Sequence, residues 1–153
     1  MVQKAVVDRR ENAFYVQSWD ASSGNFPIYV QGTSVRRLDG DEPDGNIGRA
    51  VREAMAESRT GISPQEISRD EVGRIRRGLF RLAGVRGERQ YQTGLAKISV
   101  TYDPGAPDYE ITEYINRNPD ENLIAADAGH LVPADCSDEI LGWTIRDLLT
   151  KEG

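Results

Sequence analysis

The chain has 153 residues, 29% of them charged and 38% hydrophobic, and carries a formal charge of −6. That length makes one ordinary domain, able to bury a core without disulfides, and no apolar run approaches the roughly 20 residues that span a bilayer. The opening MVQKAVVDRREN has no apolar stretch of secretory-signal length, so the expected compartment is the cytoplasm.

Residues 2–7 and 13–19 read as two strands joined by the polar turn of Asp8 to Asn12. Residues 26–38 alternate less cleanly and are expected to hold a strand and an irregular segment. The acidic loop DGDEPD follows from Asp39, and its last residue, Asp44, suits the N-cap of a helix over 44–58. That helix places Ile47, Val51, Ala54, Met55 and Ser58 on one face, at steps of three and four residues. Gly61 and Pro64 are expected to end it.

Residues 63–90 differ in character. Ser63-Pro64 with Glu66 has the form of a helix start, and Ser68-Arg-Asp-Glu71 has the form of a capping box. Val72, Ile75, Leu79, Phe80 and Leu82 then give a short apolar face interrupted by glycine. From Ser68 to Gln90, seven arginines (69, 74, 76, 77, 81, 86 and 89) against Asp70, Glu71 and Glu88 leave a charge near +4 and the rest of the chain near −10. Such a cluster could neutralise phosphate; sharing a helix with apolar residues, it reads better as a solvated face.

Three further strands are expected at 95–102, 109–115 and 123–132, with short turns that favour antiparallel pairing. Ser137 or Asp138 caps a last helix, whose expected buried face is Ile140, Leu141, Ile145, Leu148 and Leu149. The fold class is therefore α+β, a mainly antiparallel sheet of about six strands with helices packed on it. Trp19 and Trp143 are expected in the core.

The two ends of the chain also align with each other. DGNIGRAVREAMAES from Asp44 matches DEILGWTIRDLLTKE from Asp138: Gly48 falls on Gly142, Val51 on Ile145 and Arg52 on Arg146. Upstream, KAVVD from Lys4 matches KISVT from Lys97, and FYVQSW from Phe14 matches YEITEY from Tyr109. The expected organisation is one domain built as two β-β-β-α halves, 1–60 and 92–153, around the arginine-rich helical insertion 63–90. Gly48 and Gly142 should lie where a helix closely approaches the sheet.

Recognisable chemistry is sparse. No phosphate-binding glycine loop or nucleophile elbow is present, and one cysteine, Cys136, rules out an intrachain disulfide or a Cys-rich zinc site. Cys136 and His130, six residues apart, could form a nucleophile and base, but they read as a small residue before a helix and a strand end. Asp39, Asp41 and Asp44 alternate as calcium ligands do, yet Pro43 and Asp44 stand where an EF-hand needs a ligand and a glycine. No cofactor, metal or catalytic residue is expected.

At NIGRAVREAMAESR, together with SDEILGWTIRDLL, the sequence resembles the CdiI family, the immunity proteins of bacterial contact-dependent growth inhibition. The shared features are a strand hairpin, a capped Ile-Gly helix ending in Ser58-Arg59, and a second hairpin ending in a Leu-Gly helix. The resemblance spans nearly the whole chain, while the arginine-rich insertion departs from the family's pattern. It implies a cytoplasmic protein, not an enzyme, that binds and neutralises the CdiA-type C-terminal toxin domain of a delivered effector, often a nuclease, without direct contact to nucleic acid or membrane. For a basic partner, the candidate contacts are clustered carboxylates before the two helices: Asp39, Asp41, Glu42 and Asp44, and Asp135, Asp138 and Glu139. The competing reading is a small enzyme with a site between the two related halves.

Overall fold

A computed structural model of the chain describes residues 2–24, 28–115, 124–125 and 129–150. It is an α+β fold with a single antiparallel sheet. Strands β1 (Gln3–Arg10), β2 (Ala13–Ala21) and β3 (Tyr29–Asp39) form one side, and β4 (Ala96–Tyr102), β5 (Asp108–Ile115), β6 (Ile124–Ala125) and β7 (His130–Pro133) the other. The order across the sheet is β3-β2-β1-β4-β5, with β6 and β7 both paired to β5. The single strand expected at 123–132 is thus two short ones, and residues 126–128 between them lie outside the described set, as does the start of the third expected strand.

The centre of the sheet is the β1–β4 pair, where Val6 sits opposite Ser99, Lys4 opposite Thr101 and Asp8 opposite Lys97. Alternation along these strands puts Ala5, Val7, Phe14, Val16, Ile98, Val100, Tyr109, Ile111 and Val132 on one face. That face is covered by α1 (Asp44–Glu57), through Ile47, Val51, Ala54 and Met55, and by α4 (Asp138–Thr150), through Leu141, Ile145 and Leu149. Both amphipathic stripes read from the sequence therefore bury, with one exception: Ile140 is 54% exposed. Trp143 also departs from expectation, standing 58% exposed on the outer side of α4. Its position lies opposite Leu141 and Ile145 on the helical wheel, and those two take the sheet.

The opposite face of the sheet carries the insertion. Helices α2 (Arg69–Ala83) and α3 (Glu88–Gln92) bury Leu79, Val85 and Tyr91 against Ala13 and Tyr15. Ser68 caps α2 as its sequence predicts, accepting a bond from the Glu71 amide, and Gly84 (φ 72°) closes it in the left-handed conformation that glycine adopts without strain. Ser63 starts only a 3₁₀ turn, Pro64–Glu66, without a side-chain cap. Of the seven arginines, one is structural. Arg76 donates to Gln31 and Glu88 and lies over the Phe80 and Tyr91 rings, while Tyr91 donates to the fully buried Asp8. Burial, followed by the neighbouring Asp8 charge, pushes the Tyr91 hydroxyl far above its ordinary range, so it remains a donor.

The Ser58-Arg59 pair is also structural. The Ser58 hydroxyl donates to the Trp19 carbonyl and accepts from the Lys4 amide, and the Arg59 guanidinium holds buried Asp20 at 2.8 and 3.0 Å. Together they fasten the exit of α1 to the ends of β1 and β2. No helix among the described residues is long and apolar enough to cross a membrane.

Candidate functional site: the crossing of the two Gly helices

Helices α1 and α4 cross on the sheet at their N-terminal turns, and glycine permits it. A Cβ at Gly48 would stand 2.8 Å from the Asp138 carbonyl carbon, and one at Gly142 would stand 2.6 Å from that of Asp44. Both lie inside contact distance, and both obstacles are backbone. The two glycines thus serve a helix–helix contact rather than the helix–sheet approach expected from sequence. They are needed because small residues at a crossing let two backbones meet.

Two arginines brace this crossing in a reciprocal way. Arg52, on α1, pairs with Asp138 at the start of α4, donates to the carbonyls of Ala134 and Cys136, and reaches the Tyr109 hydroxyl at 3.2 Å with its guanidinium over that ring. Arg146, on α4, pairs with Asp44 at the start of α1 at 2.7 Å, donates to the carbonyls of Gly40 and Glu42, and lies over the Phe14 ring. In the alignment of the two halves Arg52 matches Arg146, Asp138 matches Asp44, and Tyr109 matches Phe14. Each planar guanidinium satisfies carbonyls of the loop that leads into the other helix, a task suited to its fixed fork of donors. Burial alone would lower the Arg52 pKa. The bonds to Tyr109 and Asp138 overcome this and raise it, so the charge is permanent.

The crossing also sorts the candidate carboxylates. Asp44 and Asp138 are drawn into the ion pairs just described, and neither acts as an N-cap. Pro43 occupies the cap position of α1 without a side-chain bond, and the Ser137 hydroxyl accepts the Ile140 amide at the start of α4. Glu42 accepts from Asn46, and Asp39 pairs with Arg37 of its own strand. Asp41, Asp135 and Glu139 are exposed and form no ion pair among the described residues. The first turns of the two helices meet at this point: a Cβ at Gly45 would stand 3.0 Å from the Glu139 carboxylate. What sequence reasoning missed were the arginines, although their mutual alignment was the available signal.

On the far face of the sheet, Arg69, Arg74, Arg77, Arg81, Arg86 and Arg89 are exposed and form no ion pair among the described residues. The molecule therefore presents cations on its insertion and carboxylates without ion pairs around its helix crossing, where Arg49 of α1 is also exposed and donates to Asn46. His130 bonds to Glu113 at 3.1 Å, while the Cys136 sulfur lies 3.6 Å from Arg52, so the two have different partners. Among the described residues, no three His, Cys, Asp or Glu side chains converge as metal ligands.

No family model matches the chain, and no curated protein matches it. Among solved structures it is similar to NMB0488 from Neisseria meningitidis, a protein of unknown function. The TM-score is 0.80 and the identity 18%, over 98% of this chain and 94% of that one. It is also similar to a chain of the CdiA-CT/CdiI toxin and immunity complex from Yersinia pseudotuberculosis, with a TM-score of 0.76 and 10% identity over 98% and 97% of the two chains. At such identities the likeness is one of fold, and it extends over nearly the full length of the chain.

Proposed function

We propose that this protein is a CdiI-type immunity protein, which binds the C-terminal toxin domain of a contact-dependent growth inhibition effector in the cytoplasm and blocks it. The observation that carries this reading is the full-length similarity of fold to a chain of a toxin and immunity complex. The chemistry around the crossing supports it. A toxin that cuts nucleic acid holds phosphate with cationic side chains, and a surface bearing Asp41, Asp135 and Glu139 without partners attracts such a groove. The cross-braced helices keep that surface in one shape before the partner arrives, which lowers the ordering cost of association. On the helical side, the junction between the halves is filled by the Gly48–Gly142 crossing.

The reciprocal contacts of Arg52 and Arg146 further support descent of the two halves from one duplicated unit. Superposing residues 4–8 and 44–55 on 97–101 and 138–149 tests that descent: a rotation far from 180° counts against it. The functional test is co-expression with the toxin domain of the effector encoded beside this chain. Cell survival and a stoichiometric complex are expected. Turnover by the dialysed protein, with no complex formed, would replace this reading with the enzymatic one.

A further inference from the structure

The outer face of α4 is the place where the sequence and the packing disagree. Ile140 and Trp143, one helical turn apart, are 54% and 58% exposed, and neither belongs to either hydrophobic cluster. Adjacent large apolar side chains on a charged surface lose solvent contact only when something covers them. Tryptophan is also the residue most often found at the energetic centre of protein interfaces.

The charges around this pair say what covers it. Glu139 and Asp147 stand on the same outer side of α4, and Asp135 lies in the loop before it, all exposed and without an ion pair among the described residues. The basic residue of α4, Arg146, is turned inward to Asp44. The exposed arginines of the insertion lie beyond the opposite face of the sheet, because α2 packs on Ala13 and Tyr15 while α4 packs on Ile98 and Val100. The apolar pair is thus rimmed by negative charge, with no cation of its own helix left to compensate it. Glu139 faces Gly45 across the crossing, so the rim continues toward the first acidic loop.

We infer that the outer face of α4 is the docking surface for the protein partner, with Trp143 and Ile140 inserted into an apolar recess whose margin is cationic. The inference rests on the immunity reading and narrows it. The interface centres on a tryptophan anchor, and the carboxylates steer the approach. Trp143 supplies large apolar area at little entropic cost, whereas the rim charges act mainly on the association rate.

The probe is the C-terminal toxin domain of the CdiA-type effector used in the functional test, purified on its own. Its dissociation constant would be measured for the wild type and for Trp143→Ala, Ile140→Ala, Glu139→Gln/Asp147→Asn and Leu131→Ala. Leu131 is the control: it is 68% exposed but lies on the other face of the sheet, since its neighbour Val132 points into the helix layer. The inference requires Trp143→Ala to weaken binding about 30-fold or more and Ile140→Ala by several-fold. It requires the charge pair to slow association and flatten its salt dependence, and Leu131→Ala to change nothing. Trp143 emission should shift to the blue on binding, a change absent in Trp143→Phe. Melting temperatures close to wild type keep the loss separate from unfolding, because these side chains bury little. Binding of Trp143→Ala within about 3-fold of wild type, with the wild type binding well, overturns the inference alone. A self-associated wild type that becomes monomeric in Trp143→Ala also overturns it, because the face would then serve a second copy. No binding by the wild type overturns the immunity reading and this inference together.

Discussion

Replacing Gly142 with alanine should destabilise the protein, although alanine is the better helix former. In an open helical position the exchange gains about 1 kcal/mol of propensity. At Gly142 the new methyl would stand 2.6 Å from the Asp44 carbonyl carbon and 3.0 Å from the Gly48 nitrogen, so α1 and α4 must separate. Overpacking costs about 1–3 kcal/mol, and with a backbone obstacle on the far side the upper end applies. Separation also lengthens the Arg146–Asp44 and Arg52–Asp138 braces. The net loss is then about 2 kcal/mol, a fall of about 4–8 °C in Tm for a domain of this size. Gly78, inside α2, is the internal control, because nothing lies within 4 Å of a Cβ placed there. The same substitution at Gly78 should stabilise by about 0.5–1 kcal/mol. Urea unfolding of both variants, and of Gly48→Ala and the double glycine variant, measures the difference. The double variant should cost less than the sum of the singles, since one separation of the helices relieves both clashes. A Gly142→Ala protein as stable as wild type would refute the account of the crossing.

Arg146→Ala should cost about 2 kcal/mol in urea unfolding, because it leaves the Gly40 and Glu42 carbonyls and Asp44 without their donor. Arg146→Lys should recover less than half of that, since one ammonium cannot span three acceptors; full recovery would mean that charge alone matters. The bond from Arg76 lowers the Glu88 pKa from its ordinary value of 4.5. The folded state therefore binds fewer protons there than the unfolded state, so this contribution is present above about pH 4.5 and lost as the pH falls below it. Glu88→Gln should reduce the acid dependence of stability between about pH 5 and 3, and an unchanged slope would remove Glu88 from the account. Changing Asp39, Asp41 and Glu42 together to Asn and Gln should slow association with the toxin domain and weaken its salt dependence. Asp41 should carry most of the effect, because Asp39 and Glu42 already have partners; wild-type kinetics in the triple variant would exclude this loop from the interface.

The chain's local patterns were enough for the elements. Alternation marked the long strands of the β1–β4 and β4–β5 regions, three-and-four spacing marked α1 and α4, and the Ser68 capping box marked α2, because each of these signals lies between residues a few positions apart. Short turns between strands were enough for an antiparallel α+β fold. They were not enough to divide residues 123–132 into β6 and β7, where pairing with β5 decides. The candidate site was legible only as a list of carboxylates. Which of them are consumed was decided by contacts 86 and 102 residues apart in the chain, Arg52 to Asp138 and Arg146 to Asp44. The exposure of Trp143 was decided in the same way. Helix α4 carries apolar residues around more of its circumference than one sheet can cover, and the crossing at Gly142 fixes which of them face the core. A sequence records the side chains on each face of a helix; the rotation of that helix on its sheet is a property of the assembled core.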